Sequence, residues 1–237
     1  MKMHLVFLLL VPGVCVFGET LPGWFIPLRE AIYEQQLTAD EIASVYREIS
    51  GKAKTSLSGA DQYIMLSRCE YMMGRAYLFE ERKEEADRHF TEGMKMAERA
   101  LDIRKSAEGW QMLAENLSQA CIVRSTSFVI ANGLNVEKYS KNAAAIDNKN
   151  AAARIMIAAR WVYAPSPFHN YKRGIEMMSA IITECNMDKD DQFNVYSGIG
   201  YAYMQQKNQA QSGEWFNKAL AIYPTNKYIN SLLEKKR

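Results

Sequence analysis

"YSGIGYAYMQQKNQAQSGEWFNKALAIYP", residues 196–224, decides how the rest of the chain is read. Tyr196, Ile199, Gly200 and Tyr203 recur at spacings of three, one and three, which places them on one helical face. The pattern breaks at Lys207-Asn208 and resumes with Ser212, Phe216, Ala219 and Leu220 on one face of a second helix, which Pro224 ends. Two antiparallel helices can approach closely only where side chains are small. Gly200 and Ser212 supply those places, and Tyr203 and Phe216 fill the space between.

A large residue, a small one and Tyr, then a small residue, Phe, Ala-Leu and Pro at fixed offsets: this stretch resembles the tetratricopeptide repeat over its whole length, with Ser212 at the family's Ala. "GRAYLFEERKEEADRHFTEGMKMAE" places Gly74, Tyr77, Ala86, Phe90 and Gly93 at the same offsets, with Glu70 and Glu98 departing at the first and last positions. Trp110, Leu113, Ala114 and Leu117 fit a first helix, read as running to about Ala131, with its partner starting near Val136 and holding Tyr139, Ala143 and Ala144. Ile157, Ala158 and Trp161, then Gly174, Met178, Ile181 and Ile182, fit another pair. Between them "APSPFHN", residues 164–170, forms an enlarged turn, because Pro165 and Pro167 each remove a backbone donor. Repeats are set at 67–100, 107–147, 151–187 and 193–226, about forty residues apart against the standard 34.

One repeat cannot bury its own apolar face, so the stack must be continuous. The resemblance implies a single all-α domain over 19–237: an α-solenoid of about four such hairpins with capping helices at both ends. Residues 24–56 read as the first cap and Tyr228–Arg237 as a polar closing helix. Helix starts are marked by Thr38 with Glu41, Ser58 with Asp61, Ser106, and the acids of "MDKDDQ" at 187–192.

"MKMHLVFLLLVPGVCVFG", residues 1–18, pairs Lys2 with an apolar run too short for a membrane span and fits a signal peptide cut before Glu19. This predicts export to the periplasm or cell envelope, with a membrane tether only if Cys15 is lipidated. Lysine and arginine total 29 and the acids 27, and the leader removes only Lys2, so the processed chain is nearly neutral. Nucleic-acid binding needs a basic stripe that this chain lacks. Cys69, Cys121 and Cys185 are an odd, scattered set that reads as free thiols in helices.

No Cys-x-x-Cys, His-Glu-x-x-His, phosphate-binding loop or Gly-x-Ser-x-Gly occurs, and His89 and His169 have no ligand-spaced partner. No enzyme activity, cofactor or metal is expected. Asn116-Leu117-Ser118 matches a glycosylation acceptor but falls inside a helix. The resemblance puts binding on the concave face, lined by the first helix of each pair. It assigns Tyr71, Arg75 and Phe79, Gln111, Glu115 and Gln119, Ala159 and Tyr163, and Tyr201 and Gln205 to the groove. Phe168 either seals its repeat against Trp161 and Tyr171 or stands with Tyr163 and His169 at the groove rim. The family's carboxylate-binding Lys and Asn are not reproduced. The expected function is a protein-interaction scaffold with a protein or peptide partner; the alternative is a periplasmic ligand-binding accessory of a substrate-uptake system. An aromatic groove closed by neighbouring helices favours the small ligand, an open one the protein chain.

Overall fold

The computed structural model describes residues 21–234; the leader expected over residues 1–18 and the Cys15 tether lie outside them. A 3₁₀ turn at Gly23–Phe25 enters α1 (Ile26–Glu34), and α2 (Ala39–Ser56) follows. Then come four hairpins: α3 (Gly59–Phe79) with α4 (Lys83–Ile103), α5 (Ala107–Val123) with α6 (Thr126–Ile146), α7 (Ala151–Tyr163) with α8 (Tyr171–Glu184), and α9 (Lys189–Gln205) with α10 (Gln209–Ile222). α11 (Lys227–Glu234) ends the described chain, and no strand occurs among the described residues. The fold is an all-α solenoid.

Capping explains most helix starts. At α2, Thr38 Oγ1 accepts from the Glu41 amide at 3.3 Å, and the Glu41 carboxylate accepts from the Thr38 amide at 2.8 Å. Asp188 and Asp191 reciprocate in the same way at α9, at 2.8 and 3.3 Å. Ser106 caps α5 through the Gly109 amide at 3.1 Å. Ser58 makes no side-chain cap, and the Asp61 carboxylate pairs with Arg104.

Small residues set the distance between helices. A Cβ on Gly200 would stand 2.5 Å from the Phe216 ring, and one on Gly74 would stand 2.4 Å from the Phe90 ring. Asn116 is fully buried and cannot be a glycosylation acceptor. Its Nδ2 donates to Ser67 Oγ at 3.1 Å, and that hydroxyl donates to the Gly93 carbonyl at 2.7 Å, which ties α3, α4 and α5 together. Cys69, Cys121 and Cys185 are free thiols.

The second hairpin differs from its sequence reading. The turn falls at Arg124-Ser125 rather than between Ala131 and Val136. Ser125 Oγ accepts from the Phe128 amide at 3.4 Å, and the Arg124 guanidinium reaches back to Asp87 and Thr91 on α4. α3 also starts ahead of residue 67, at Gly59.

The two ends of the solenoid meet. The Tyr33 ring of α1 stacks on Tyr223 at 4.9 Å and lies edge-on to Phe193 at 5.4 Å. Asn226 Nδ2 donates to the Tyr33 carbonyl at 2.8 Å, Asn194 Nδ2 to the Tyr33 hydroxyl at 3.1 Å, and Thr225 Oγ1 to the Glu34 carbonyl at 2.8 Å. The buried Gln35 side chain accepts from the Tyr228 amide at 3.2 Å. α1 is therefore more than the expected cap. It bridges the first and last hairpins, and Phe193, Phe216 and Tyr223 share one apolar core with Phe25, Leu28 and Ile32.

Candidate binding cavity

α3, α5, α7 and α9 each turn one stripe inward, and the α1 bridge closes the circuit. The space they surround is about 1660 Å³. Tyr71, Arg75 and Phe79 line it at spacings of four along α3, and Gln111, Glu115 and Gln119 do so along α5. Ala159 and Tyr163 of α7 line it as well.

Four residues expected at the groove do not. Tyr201 continues the inward stripe of α9, but its ring meets Tyr163, centroids 5.0 Å apart, beyond the cavity lining. Gln205 is exposed at the end of α9. His169 stacks on Tyr171 at 4.3 Å. Phe168 is 63% exposed, so it neither seals its repeat nor reaches the cavity. Trp161, its expected partner, instead lies under the Arg173 guanidinium at 4.1 Å. Backbone bonds order this turn: the Asn170 amide donates to the Trp161 carbonyl at 2.8 Å, and Asn170 Oδ1 caps α8 through the Arg173 amide at 3.0 Å. Residues 164–170 join α7 to α8, and of them Ala164 lines the cavity.

Sequence reasoning does not reach several other lining residues. Arg68 stands three and seven residues before Tyr71 and Arg75, a spacing readable as the same face. Asp190, Asn194 and Ser197 form the inward stripe of α9, one turn and more ahead of the expected Tyr201 and Gln205. Arg29 and Tyr33 enter from α1, and no local pattern announces them.

The polar groups divide into satisfied and unsatisfied sets. Arg75 sits among three rings, with its guanidinium carbon 4.7 Å from the Tyr33 centroid and 5.5 Å from those of Tyr71 and Phe79. Burial pushes the Tyr71 phenol up to about 12. Asp190 accepts from the Tyr223 hydroxyl at 2.7 Å and pairs with Arg29 at 3.4 Å. Burial and the neighbouring Asp188 charge still hold its carboxyl up at about 7, against the opposing pull of Tyr223 and Arg29. Burial likewise raises Glu115 and Asp191. Glu115 has only the Gln111 amide, at 3.1 Å. Arg68 Nε and Ser197 Oγ are buried atoms with no hydrogen-bond partner among the described residues, and both belong to cavity-lining side chains. Arg29 Nε, also on the lining, makes no hydrogen bond and keeps only its ion pair with Asp190.

Among the described residues no group of His, Cys, Asp and Glu has the arrangement to hold a metal ion, and no helix is long and apolar enough to cross a membrane.

Residues 193–226 match the family model of the tetratricopeptide repeat. No curated protein matches the chain. Among solved structures, YrrB, described as a TPR protein with an unusual peptide-binding site, is similar at 14% identity and a TM-score of 0.40, over 91% of this chain and 99% of that one. The matched residues cover most of α9 and all of α10, the hairpin in which Gly200 meets Phe216. The likeness to the tetratricopeptide repeat is shown for that hairpin, residues 193–226.

Proposed function

We propose that this is an exported, non-enzymatic interaction protein that holds a segment of a partner protein in its central cavity. The observation that carries this reading is the pair of unpartnered buried polar atoms on cavity-lining residues, Arg68 Nε and Ser197 Oγ. Buried polar groups are nearly always hydrogen-bonded, and the exceptions call for a functional or solvent partner. The volume argues for a peptide. Sites for drug-sized molecules run to roughly 300–1,000 Å³, and this one is about 1660 Å³. The aromatic and arginine lining suits recognition of a protein chain. Export rests on the leader at residues 1–18.

The α1 bridge favours a second reading, a periplasmic ligand-binding accessory of a substrate-uptake system, because it closes the groove at the end where a solenoid is usually open. Photocrosslinking distinguishes the readings. A photoreactive phenylalanine in place of Tyr163, inside the cavity, should give a protein-sized adduct in the native envelope. The same group at Ile103, exposed and outside the lining, should give none. Adducts of small mass alone would favour the second reading, and equal adducts from both sites would remove the cavity from the function.

A further inference from the structure

The cavity wall carries opposite charges that do not pair. Glu115 on α5 and Asp188 and Asp191 at the start of α9 line the same cavity. Burial raises the Glu115 carboxyl first and the Asp188 charge adds to it; burial and Asp188 raise that of Asp191, with Glu115 contributing. None of the three acids is ion-paired among the described residues, although Arg68 and Arg75 are near enough to act on Glu115. Arg75 is enclosed by Tyr33, Tyr71 and Phe79. Arg68 is not: it forms no ion pair among the described residues, and its Nε has no acceptor. Independently of these charges, Ser197 on the α9 wall is 9% exposed, lines the same space, and has a hydroxyl with no partner.

A desolvated charge left without a counter-ion is unfavourable, and pairing with a hydrogen-bonded opposite charge offsets this. A purely cationic ligand would leave Arg68 unanswered, and a purely anionic one would leave the acids so. Like-charge juxtaposition at such a site discriminates against both.

We propose that the cavity recognises a zwitterionic group, with an anionic oxygen group bound by Arg68 and a cationic nitrogen bound by Glu115 with Asp191, and Ser197 hydrogen-bonding the same ligand. This rests on the reading of the cavity as the binding site. The shared chemistry is one ammonium and one carboxylate, and it has two sources: a free amino acid, or adjacent Lys and Glu side chains in a partner segment.

A matched series of probes tests it, with calorimetry on the purified protein at low salt. The small probes are 5-aminopentanoate, 1,5-diaminopentane, glutarate and 1,5-pentanediol. The peptide probes are acetyl-Gly-Lys-Glu-Gly-amide and its Lys-Lys and Glu-Glu counterparts. The zwitterionic member of at least one series should bind on the order of tenfold tighter than every other member, and the series in which it does so identifies the source. Arg68→Gln should reduce the discrimination against the diamine or Lys-Lys probe, and Glu115→Gln that against the glutarate or Glu-Glu probe. Circular dichroism melting checks that both variants fold. Absence of any zwitterion preference, absence of binding by every probe, or a preference unmoved by both substitutions overturns the proposal. Ala159→Trp fills the cavity from α7 and separates the two levels. If it abolishes binding that shows no charge preference, the cavity stands and the zwitterion falls. If binding survives it, the cavity itself is not the site.

Discussion

Tyr33 of the first helix and Tyr223, just past the last repeat helix, stack at 4.9 Å with their ring planes 14° apart. Both rings are buried, and Phe193 meets each of them edge-on. Tyr33→Ala should destabilise the fold by about 3–5 kcal/mol, the range for large aromatic truncations. Tyr33→Phe keeps the stack and loses the hydroxyl's bonds with Asn194 and Arg75, so it should cost about 1–2 kcal/mol. Urea unfolding of the two variants measures the difference. Equal losses would mean that the stack does not hold the ends together.

Gly200→Leu places side-chain atoms where the Phe216 ring already stands, since even a Cβ would lie 2.5 Å from it. Overpacking of this kind costs about 1–3 kcal/mol. Gly200→Leu combined with Phe216→Ala should recover part of the loss relative to additive singles, measured by a double-mutant cycle. Strict additivity would show that the two positions do not share the space.

Phe168→Ala should change stability by no more than about 0.5 kcal/mol, because the side chain is 63% exposed. Binding in the cavity should be unchanged too. A thermal melt and a binding isotherm check both, and a loss in either would return the 164–170 turn to the site.

Asp190 gives the protein a pH dependence of definite sign. Its carboxyl lies at about 7 in the folded chain against an ordinary 3.8. The folded state therefore binds this proton more tightly. The resulting stabilisation is complete below about pH 4 and is lost as pH rises through 7. It amounts to a few kcal/mol at most, since each tenfold change in proton affinity is worth about 1.4 kcal/mol. Asp190→Asn should flatten this part of the curve, so that the stability of the wild type relative to the variant falls from pH 4 to pH 8. Parallel curves would show that Asp190 does not carry the dependence.

The proposed export predicts a processed chain that begins at Glu19, which N-terminal sequencing of the protein purified from its native source checks. A lipid-modified Cys15 found by mass spectrometry would replace that start with a membrane anchor.

The hairpins are legible in the sequence because their contacts are local. Gly74 with Phe90 and Gly200 with Phe216 lie at one fixed offset, which a repeat pattern exposes. The inward stripes of α3 and α5 follow from the same periodicity. The Ser125 start of α6 is hidden because Phe128, Val129 and Ile130 continue an apolar run across the cap; in the structure Val129 and Ile130 stay exposed. Tyr33, Arg29 and Asp190 cannot be assembled from spacing, since the bonds that join them come from opposite ends of the chain. Phe168 misleads because aromatic size alone says nothing about whether a turn points outward.

The contact of α1 with Tyr223, Thr225 and Asn226 alters how the molecule comes apart. An open array of repeats frays from its termini, with each unit depending only on its neighbours. Here the terminal units support one another, so loosening either end exposes the other, and unfolding gains a cooperativity that a linear array lacks. The same joint requires bonds between residues as far apart as Gln35 and Tyr228. Such long-range contacts slow folding, and adding a fifth repeat beyond α10 would break the joint rather than lengthen the stack.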